Sequence, residues 1–426
     1  MTADYKGPWP RKPLGEVAAV GSGYAFKSSE FRERGIPAIK IKNVRVGHVD
    51  LSAAECVDEK YLSLAERYHV RPGDVLISLT GSHMSQPNSV VGRVARHSAD
   101  HPECLLNQRV GKVIIRDSSK SDLCFLYYAL SEQDAVRAIA MKAHGAANQA
   151  NVSPAQVESV EIPLPPQPVQ QRIAGILSAY DDLIETNQRR IKILESMART
   201  LYCEWFVHFR FPGQEYHPRV PSPLGDIPKG WQVKRVGDVF QTVLGGTPSR
   251  ARPEFWEGGT VPWINSGKVN DLRITEASEF ITALALEKSA AKVMPVGTTV
   301  LAITGATLGQ VSYLEIETTA NQSVVGIVDP TELRSEWIYL TVRERIEGII
   351  KHASGGAQQH INKEIVNDVL VGLPPASLAK DFKQVVAPMF REVATLLFQI
   401  QNLRRTRDLL LPRLVSGQID VEAIAS

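Results

Sequence analysis

Trp9-Pro10-Arg11-Lys12-Pro13-Leu14-Gly15-Glu16-Val17 returns later in the chain as Trp231-Gln232-Val233-Lys234-Arg235-Val236-Gly237-Asp238-Val239. The tryptophan, a lysine, the glycine, an acid and the valine keep their spacing. Further anchors follow in the same order. Ile36-Pro37-Ala38-Ile39-Lys40-Ile41-Lys42-Asn43 matches Val261-Pro262-Trp263-Ile264-Asn265-Ser266-Gly267-Lys268. Gly73-Asp74-Val75-Leu76-Ile77-Ser78-Leu79-Thr80-Gly81 matches Gly297-Thr298-Thr299-Val300-Leu301-Ala302-Ile303-Thr304-Gly305. Asn107-Gln108 pairs with Asn321-Gln322, and Ile162-Pro163-Leu164-Pro165-Pro166 with Val371-Gly372-Leu373-Pro374-Pro375. The period is far longer than that of a solenoid repeat, so it marks a duplicated domain, with copies over 12–166 and 222–375.

Each copy reads as mixed and strand-rich. Short β-branched runs bounded by Gly, Pro, Asn or Ser predict strands at Ala38–Val44, Asp74–Leu79, Val90–Ala95 and Val110–Ile115. Their counterparts are Val261–Ile264, Thr299–Ile303, Gln310–Leu314 and Val324–Val328. One segment per copy reads as helix, Asp122–Met141 and Ser335–His352. After each Leu-Pro-Pro comes a different pattern. Apolar or heptad-core positions fall in steps of three and four at Ile173, Ile176, Tyr180, Leu183, Asn187, Ile191, Leu194, Ala198 and Leu201. They recur at Val386, Met389, Val393, Leu396, Ile400, Leu403, Arg407, Leu410 and Leu414. Helices of roughly 35 residues, about 50 Å, are long for a domain surface, and pairing with each other is the simplest arrangement. Pro388 is expected to kink the second or to mark its start. The fold class is therefore α+β, with two strand-rich domains separated by two long helices that pair as an antiparallel coiled coil. The expected boundaries are 1–166 for the first domain, 167–212 for the first helix, 213–375 for a linker and the second domain, and 376–426 for the second helix and tail.

Composition narrows the function. The chain has 426 residues, 48 basic and 46 acidic, for a net charge of +2, with 43% hydrophobic and 22% charged residues. Mean hydropathy is −0.12, typical of a soluble globular chain. No run approaches a membrane span, and Met1–Arg11 lacks the apolar core of a signal peptide, so a cytoplasmic protein is expected. Cys56, Cys104, Cys124 and Cys203 form no Cys-x-x-Cys pair, which argues against a zinc site or a disulfide framework. Gly111-Lys112-Val113 and Gly267-Lys268-Val269 fail the P-loop pattern, and Gly21-Ser22-Gly23 fails the dinucleotide fingerprint. His-Glu-x-x-His, Gly-x-Ser-x-Gly and Asn-Pro-Pro-aromatic are missing. Neither a catalytic constellation nor a metal site is expected.

What remains are polar loops whose side chains suit DNA. In the first copy these are Lys40, Lys42 and Asn43, with Lys40 and Lys42 on one face of a strand, then Ser82, His83 and Gln86, then Asn148, Gln149 and Asn151. In the second they are Arg250 and Arg252, Asn265 and Lys268, and Gln358, Gln359 and His360. Amides pair bidentately with adenine, cations neutralise phosphates, and glycines such as Gly245-Gly246 let backbone approach DNA. Lys40, Lys42, Arg250 and Lys268 are assigned to phosphates, the amides of 148–151 and 358–359 to bases.

The chain resembles the specificity (S) subunit of type I restriction–modification systems. The resemblance rests on Leu164-Pro165-Pro166 followed by Gln170-Gln171-Arg172-Ile173, Leu177 and Asp181-Asp182-Leu183-Ile184. It rests also on Leu201-Tyr202 with Trp205-Phe206-Val207-His208-Phe209-Arg210-Phe211-Pro212-Gly213, on Gly225-Asp226-Ile227-Pro228-Lys229-Gly230-Trp231, and on Leu411-Pro412-Arg413-Leu414-Val415-Ser416-Gly417-Gln418-Ile419-Asp420. It implies two target recognition domains, each reading one half of a bipartite asymmetric double-stranded DNA sequence. It implies two spacer helices that dock two methyltransferase (M) subunits, with restriction (R) subunits added. S-adenosylmethionine and ATP then belong to those partners, and this chain is non-catalytic with no cofactor of its own. Leu373-Pro374-Pro375-Ala376 lacks the usual glutamines, so the M contact there is expected to differ. The alternative is a duplicated coiled-coil adaptor that binds protein and not DNA.

Overall fold

The computed structural model describes residues 8–82, 91–146, 149–213, 218–352 and 361–422, with backbone only at 146, 149 and 352. The chain divides into two compact units, Met1–Ile184 with Asn402–Ser426, and Glu185–Gln401.

In the first unit a five-stranded sheet runs in the order Ala18–Ser22, Val110–Ile115, Val75–Ser78, Val94–Arg96 and Gly47–His48. Its centre is a continuous apolar word, Val75-Leu76-Ile77, because both faces are covered. Side chains alternate across a strand. Val75 and Ile77 therefore join Phe125, Leu126 and Tyr128 on one face, while Leu76 meets Ile39, Ala95 and Leu106 on the other. Burying each such side chain contributes about 1.5–3 kcal/mol. A second sheet orders Glu55–Val57, Ile36–Ile39, Cys104–Leu106 and His69–Val70.

The second unit repeats this topology. Its five-stranded sheet runs Gln241–Leu244, Val324–Val328, Thr299–Ala302, Val311–Leu314 and Arg273–Ile274, and its second sheet runs Glu279–Ile281, Val261–Ile264 and Thr319–Ala320. Small details repeat too. The Tyr127 hydroxyl donates to the Gly47 carbonyl at 3.0 Å, and the Tyr339 hydroxyl to that of Leu272 at 3.4 Å. Each domain is closed by a two-stranded antiparallel ribbon, Arg11–Pro13 with Glu161–Pro163 and Gln232–Arg235 with Leu370–Leu373.

Three sequence expectations change. Ala38–Val44 is not one strand: it ends at Ile39, and Ile41–Asn43 forms a 3-10 turn because the Asn43 side chain accepts from the Lys40 backbone N–H. Lys40 and Lys42 thus do not share a strand face. Asp122–Met141 breaks at Glu132, whose extended backbone and carboxylate cap a second helix through the Asp134 N–H at 2.8 Å. The strand expected at Val90–Ala95 is Val94–Arg96 among the described residues. Ser335–His352 is a helix, as its periodicity predicts.

The first long helix spans Gln167–Tyr202 and passes into a π-helical turn at Cys203–Val207. The second spans Ala376–Val415 and continues through Pro388. Gln170 is fully buried: Oε1 accepts from the Asp122 N–H at 3.0 Å, and Nε2 donates to the carbonyls of Pro165 at 2.8 Å and Lys120 at 3.0 Å. This amide clamps the helix onto its own domain, so it offers no partner surface. Ala379, at the matching position of the second copy, is also buried.

Within each unit the helix segments run antiparallel. In the first, Asp181 meets Arg407 at 2.5 Å and the Tyr128 hydroxyl at 2.6 Å, while Ile173, Ala174 and Leu177 share a core with Leu414 and Val415. In the second, Asn187 donates to Gln399 at 3.3 Å and Arg190 to Glu392 at 2.5 Å. Val386, Val393, Leu396 and Ile400 are buried as the heptads place them, with Ile191 and Ile173; Met389, Leu403, Leu410, Tyr180, Leu194 and Leu201 are half-buried. Leu183 is a correction. It is 53% exposed, and Ile184 takes the inward place at 6%. The buried series 173, 177, 184, 187, 191, 195, 198, 202 keeps close to the 3.6 residues per turn of a straight helix, whereas the heptads assumed 3.5. A graded result is expected: Ile191→Asp places an unpaired charge in the seam and costs several kcal/mol, on the order of 3–5. Leu183→Asp stays within about 0.5 kcal/mol. Equal unfolding midpoints for the two variants would remove Ile191 from the seam.

One buried charge cluster ties the second domain to both helix segments of its unit. Arg273, with no exposed side-chain surface, contacts Glu195 of the first helix at 2.5 Å and Glu315 at 3.0 Å. Its guanidinium lies 3.9 Å from the ring centre of Phe390 in the second helix. Arg343 contacts the other Glu195 oxygen at 3.1 Å and the Tyr339 hydroxyl at 3.0 Å.

Candidate nucleic-acid interface

Of the residues singled out from sequence, His83, Gln86, Asn148, Gln358, Gln359 and His360 lie outside the described residues, as does the Gln149 side chain. The others are placed as follows.

In the first domain, Lys40 and Lys42 converge on one carboxylate. Lys40 Nζ is 2.6 Å and Lys42 Nζ 2.5 Å from Glu55, and Lys40 Nζ lies 3.3 Å from the centre of the Phe31 ring. Hydrogen bonds from Lys40 and then Lys42 hold the Glu55 carboxyl below its ordinary range, so it stays charged. Asn43 is a correction. It is 2% exposed, its Oδ1 caps the Lys40 N–H at 3.0 Å and its Nδ2 donates to the Asp50 carbonyl at 2.9 Å. Both ends of its amide are engaged in the turn and the side chain is buried, so it is not presented to a base edge. Ser82 is half-buried beside the short strand Thr80–Gly81. That strand pairs with Gln149–Asn151, which pairs in turn with His144–Ala146. Asn151 is exposed and its Oδ1 accepts from the Thr80 hydroxyl at 2.7 Å.

In the second domain, both terminal nitrogens of Arg250 reach Glu279, at 2.7 and 2.6 Å, and the guanidinium lies 3.4 Å from the Trp256 ring centre. The Glu279 carboxyl is held below its usual range by Arg250, whose own pKa is raised by the same bonds. Arg252 pairs with Glu254 at 2.8 Å and lies over Phe255. Asn265 caps the turn Ser266–Asn270 through the Lys268 N–H at 3.2 Å. Lys268 Nζ sits between Asp271 at 2.9 Å and Glu276 at 2.8 Å; burial works against its charge, and the two carboxylates outweigh it to raise its pKa.

The glycine reading also changes. A Cβ on Gly245 would stand 2.1 Å from the Asn321 carbonyl oxygen, and one on Gly246 2.5 Å from the Ala290 backbone. Gly23 has the same relation to Leu106, at 2.3 Å. These glycines let one backbone lie on another inside the domain; they are not openings toward a ligand.

Sequence reasoning missed Glu55, Glu279, Phe31 and Trp256. The signal lay in the repeat register: Glu55 sits opposite Ala38 and Glu279 opposite Trp263, matched positions of the two copies. Among the described residues there is no group of three or more His, Cys, Asp or Glu able to hold a metal, and no helix long and apolar enough to cross a membrane. The four cysteines are free thiols, and burial pushes that of Cys104 up to about 12.

A family described as "Type I restriction modification DNA specificity domain" matches residues 6–196 and 228–386. The MjaIX type I restriction enzyme specificity subunit of Methanocaldococcus jannaschii is 28% identical over 424 residues, covering 97% of this chain and 93% of the relative. The HindI specificity subunit of Haemophilus influenzae is 24% identical over 322 residues, 62% of this chain and 70% of that one. The crystal structure of the type I restriction–modification S subunit from M. genitalium superposes with a TM-score of 0.62 at 14% identity, over 97% of this chain and 98% of that one.

Proposed function

This chain belongs to the type I restriction–modification DNA specificity family, the non-catalytic DNA-recognition component of those systems, and from that premise we propose that it reads a bipartite, asymmetric duplex target. Each domain reads one half-site. The observation that carries this is the duplication itself: one strand order built twice, on different exposed side chains. The long helices set the unspecified gap and dock two methyltransferase subunits, to which restriction subunits add. S-adenosylmethionine and ATP are held by those partners, in the cytoplasm. The contacts divide as the chemistry of the side chains does. Lys40, Lys42, Arg250, Arg252 and Lys268 meet phosphates, while Asn148, Gln149, Asn151, Gln358, Gln359 and His360 meet bases. Ser82, His83, Gln86 and Asn265 add hydrogen-bonding side chains to the same DNA contacts.

Methylome sequencing tests the reading. Cells carrying the partner methyltransferase with this chain are expected to show one bipartite methylated motif that is missing without it. A continuous motif would overturn the bipartite reading, and no chain-dependent motif would return the chain to the adaptor alternative.

A further inference from the structure

The two domains build the same three-part site at one place in the repeat, from different residues. Ile36-Pro37-Ala38-Ile39 and Val261-Pro262-Trp263-Ile264 are matched strands, and their antiparallel neighbours present Glu55 opposite Ala38 and Glu279 opposite Trp263. Each glutamate holds a cation against an aromatic ring: Lys40 on Phe31, Arg250 on Trp256. The cations come from opposite ends of the strand. Lys40 follows Ile39, whereas Arg250 precedes Val261. What the copies share is the glutamate's position and the ring-packed cation, not the residue that supplies it.

Stability is a poor reason for building this twice, since exposed ion pairs contribute little. Charge chemistry gives a better one. A carboxylate bound by these nitrogens fills the place a phosphate oxygen would take. A phosphate then reaches the cation only by displacing the glutamate, and one anion is exchanged for another. The ring keeps the cation in position during that exchange. Random DNA offers no further contacts to make displacement favourable, whereas a matched half-site does.

We propose that Glu55 and Glu279 mask the phosphate-binding cations of their domains, and so set the ratio between target and non-target affinity. The proposal rests on the DNA-reading function of the preceding subsection. The test uses the full-length chain assembled with its methyltransferase, on cognate and scrambled duplexes, with affinity followed against salt concentration. Glu279→Gln keeps the shape and removes the charge. It is expected to raise scrambled-duplex affinity about 3–10-fold and to steepen the salt slope by about 0.9, the value for one added phosphate contact. Cognate affinity rises less, so discrimination falls. Glu55→Gln acts in the same direction through Lys40 and Lys42. In the double variant Arg250→Gln/Glu279→Gln the gain disappears. Unchanged scrambled-duplex affinity and slope in Glu279→Gln overturn the proposal. So does a gain that survives in the double variant, because it would then come from lost repulsion alone. Should the unaltered assembly show no salt-dependent duplex binding, the DNA-reading function itself fails and the mask falls with it.

Discussion

Arg273→Met is expected to lower the stability of the second unit by about 3–5 kcal/mol, the cost of removing one partner from a buried ion cluster. Glu315 would be left without its cation, and Glu195 would keep only Arg343. Against a total of roughly 5–15 kcal/mol for a folded domain, this is a large fraction. Solvation decides the size of the effect: the guanidinium has no exposed surface and the carboxylates very little, so water cannot replace the lost partner. The companion variant Arg273→Met/Glu195→Leu/Glu315→Leu is expected to recover most of the loss. Replacing a whole buried cluster by apolar side chains is often neutral, and Arg343 retains access to water. Denaturant midpoints of the three proteins measure this. A single-variant loss below about 1 kcal/mol would mean that the cluster is hydrated and not buried.

Exchange of a whole domain has the largest expected effect on function. Replacing residues 12–166 by the matching segment of a relative should change one half of the methylated sequence completely and leave the other half and the gap unchanged. The ribbons explain why the graft should fold. Arg11 pairs with Pro163 and Pro13 with Glu161, so the domain leaves the rest of the chain where it enters, and one short pairing anchors both junctions. The second domain has the same closure at Gln232–Arg235 with Leu370–Leu373. Methylome sequencing of cells with the hybrid reads the outcome, and a change in both halves would show that the domains do not read independently.

The duplication, the central strands and the long helices were legible in the sequence, because each is written as a pattern several residues long. Thr299-Val300-Leu301-Ala302 and its match Val75–Ser78 could be placed from composition and flanking glycines alone. What failed was decided by single side chains. Asn43 reads as a base-contacting amide until its turn absorbs both ends of it. Gly245 reads as an opening until Asn321 is found 2.1 Å from where its Cβ would stand. Leu183 and Ile184 are both apolar neighbours, and only the accumulated phase of the helix decides which turns inward. The masking glutamates were invisible for another reason: an acid in a DNA-binding chain attracts no notice until a strand partner is assigned to it.

The two units also differ in how they can be completed during synthesis. The second is one unbroken stretch, Glu185–Gln401, and every side chain of its core has been made once Gln401 has emerged. The first is split, and its core needs Leu414, Val415 and Val421 to cover Ile173 and Leu177. A ribosome therefore delivers the beginning of the first unit early and its remaining pieces only after the second unit. Through that interval the apolar face around Ile173 waits uncovered, which is the condition under which nascent chains aggregate or recruit chaperones. Order of translation and order of completion are thus reversed: the unit begun first is the one finished last.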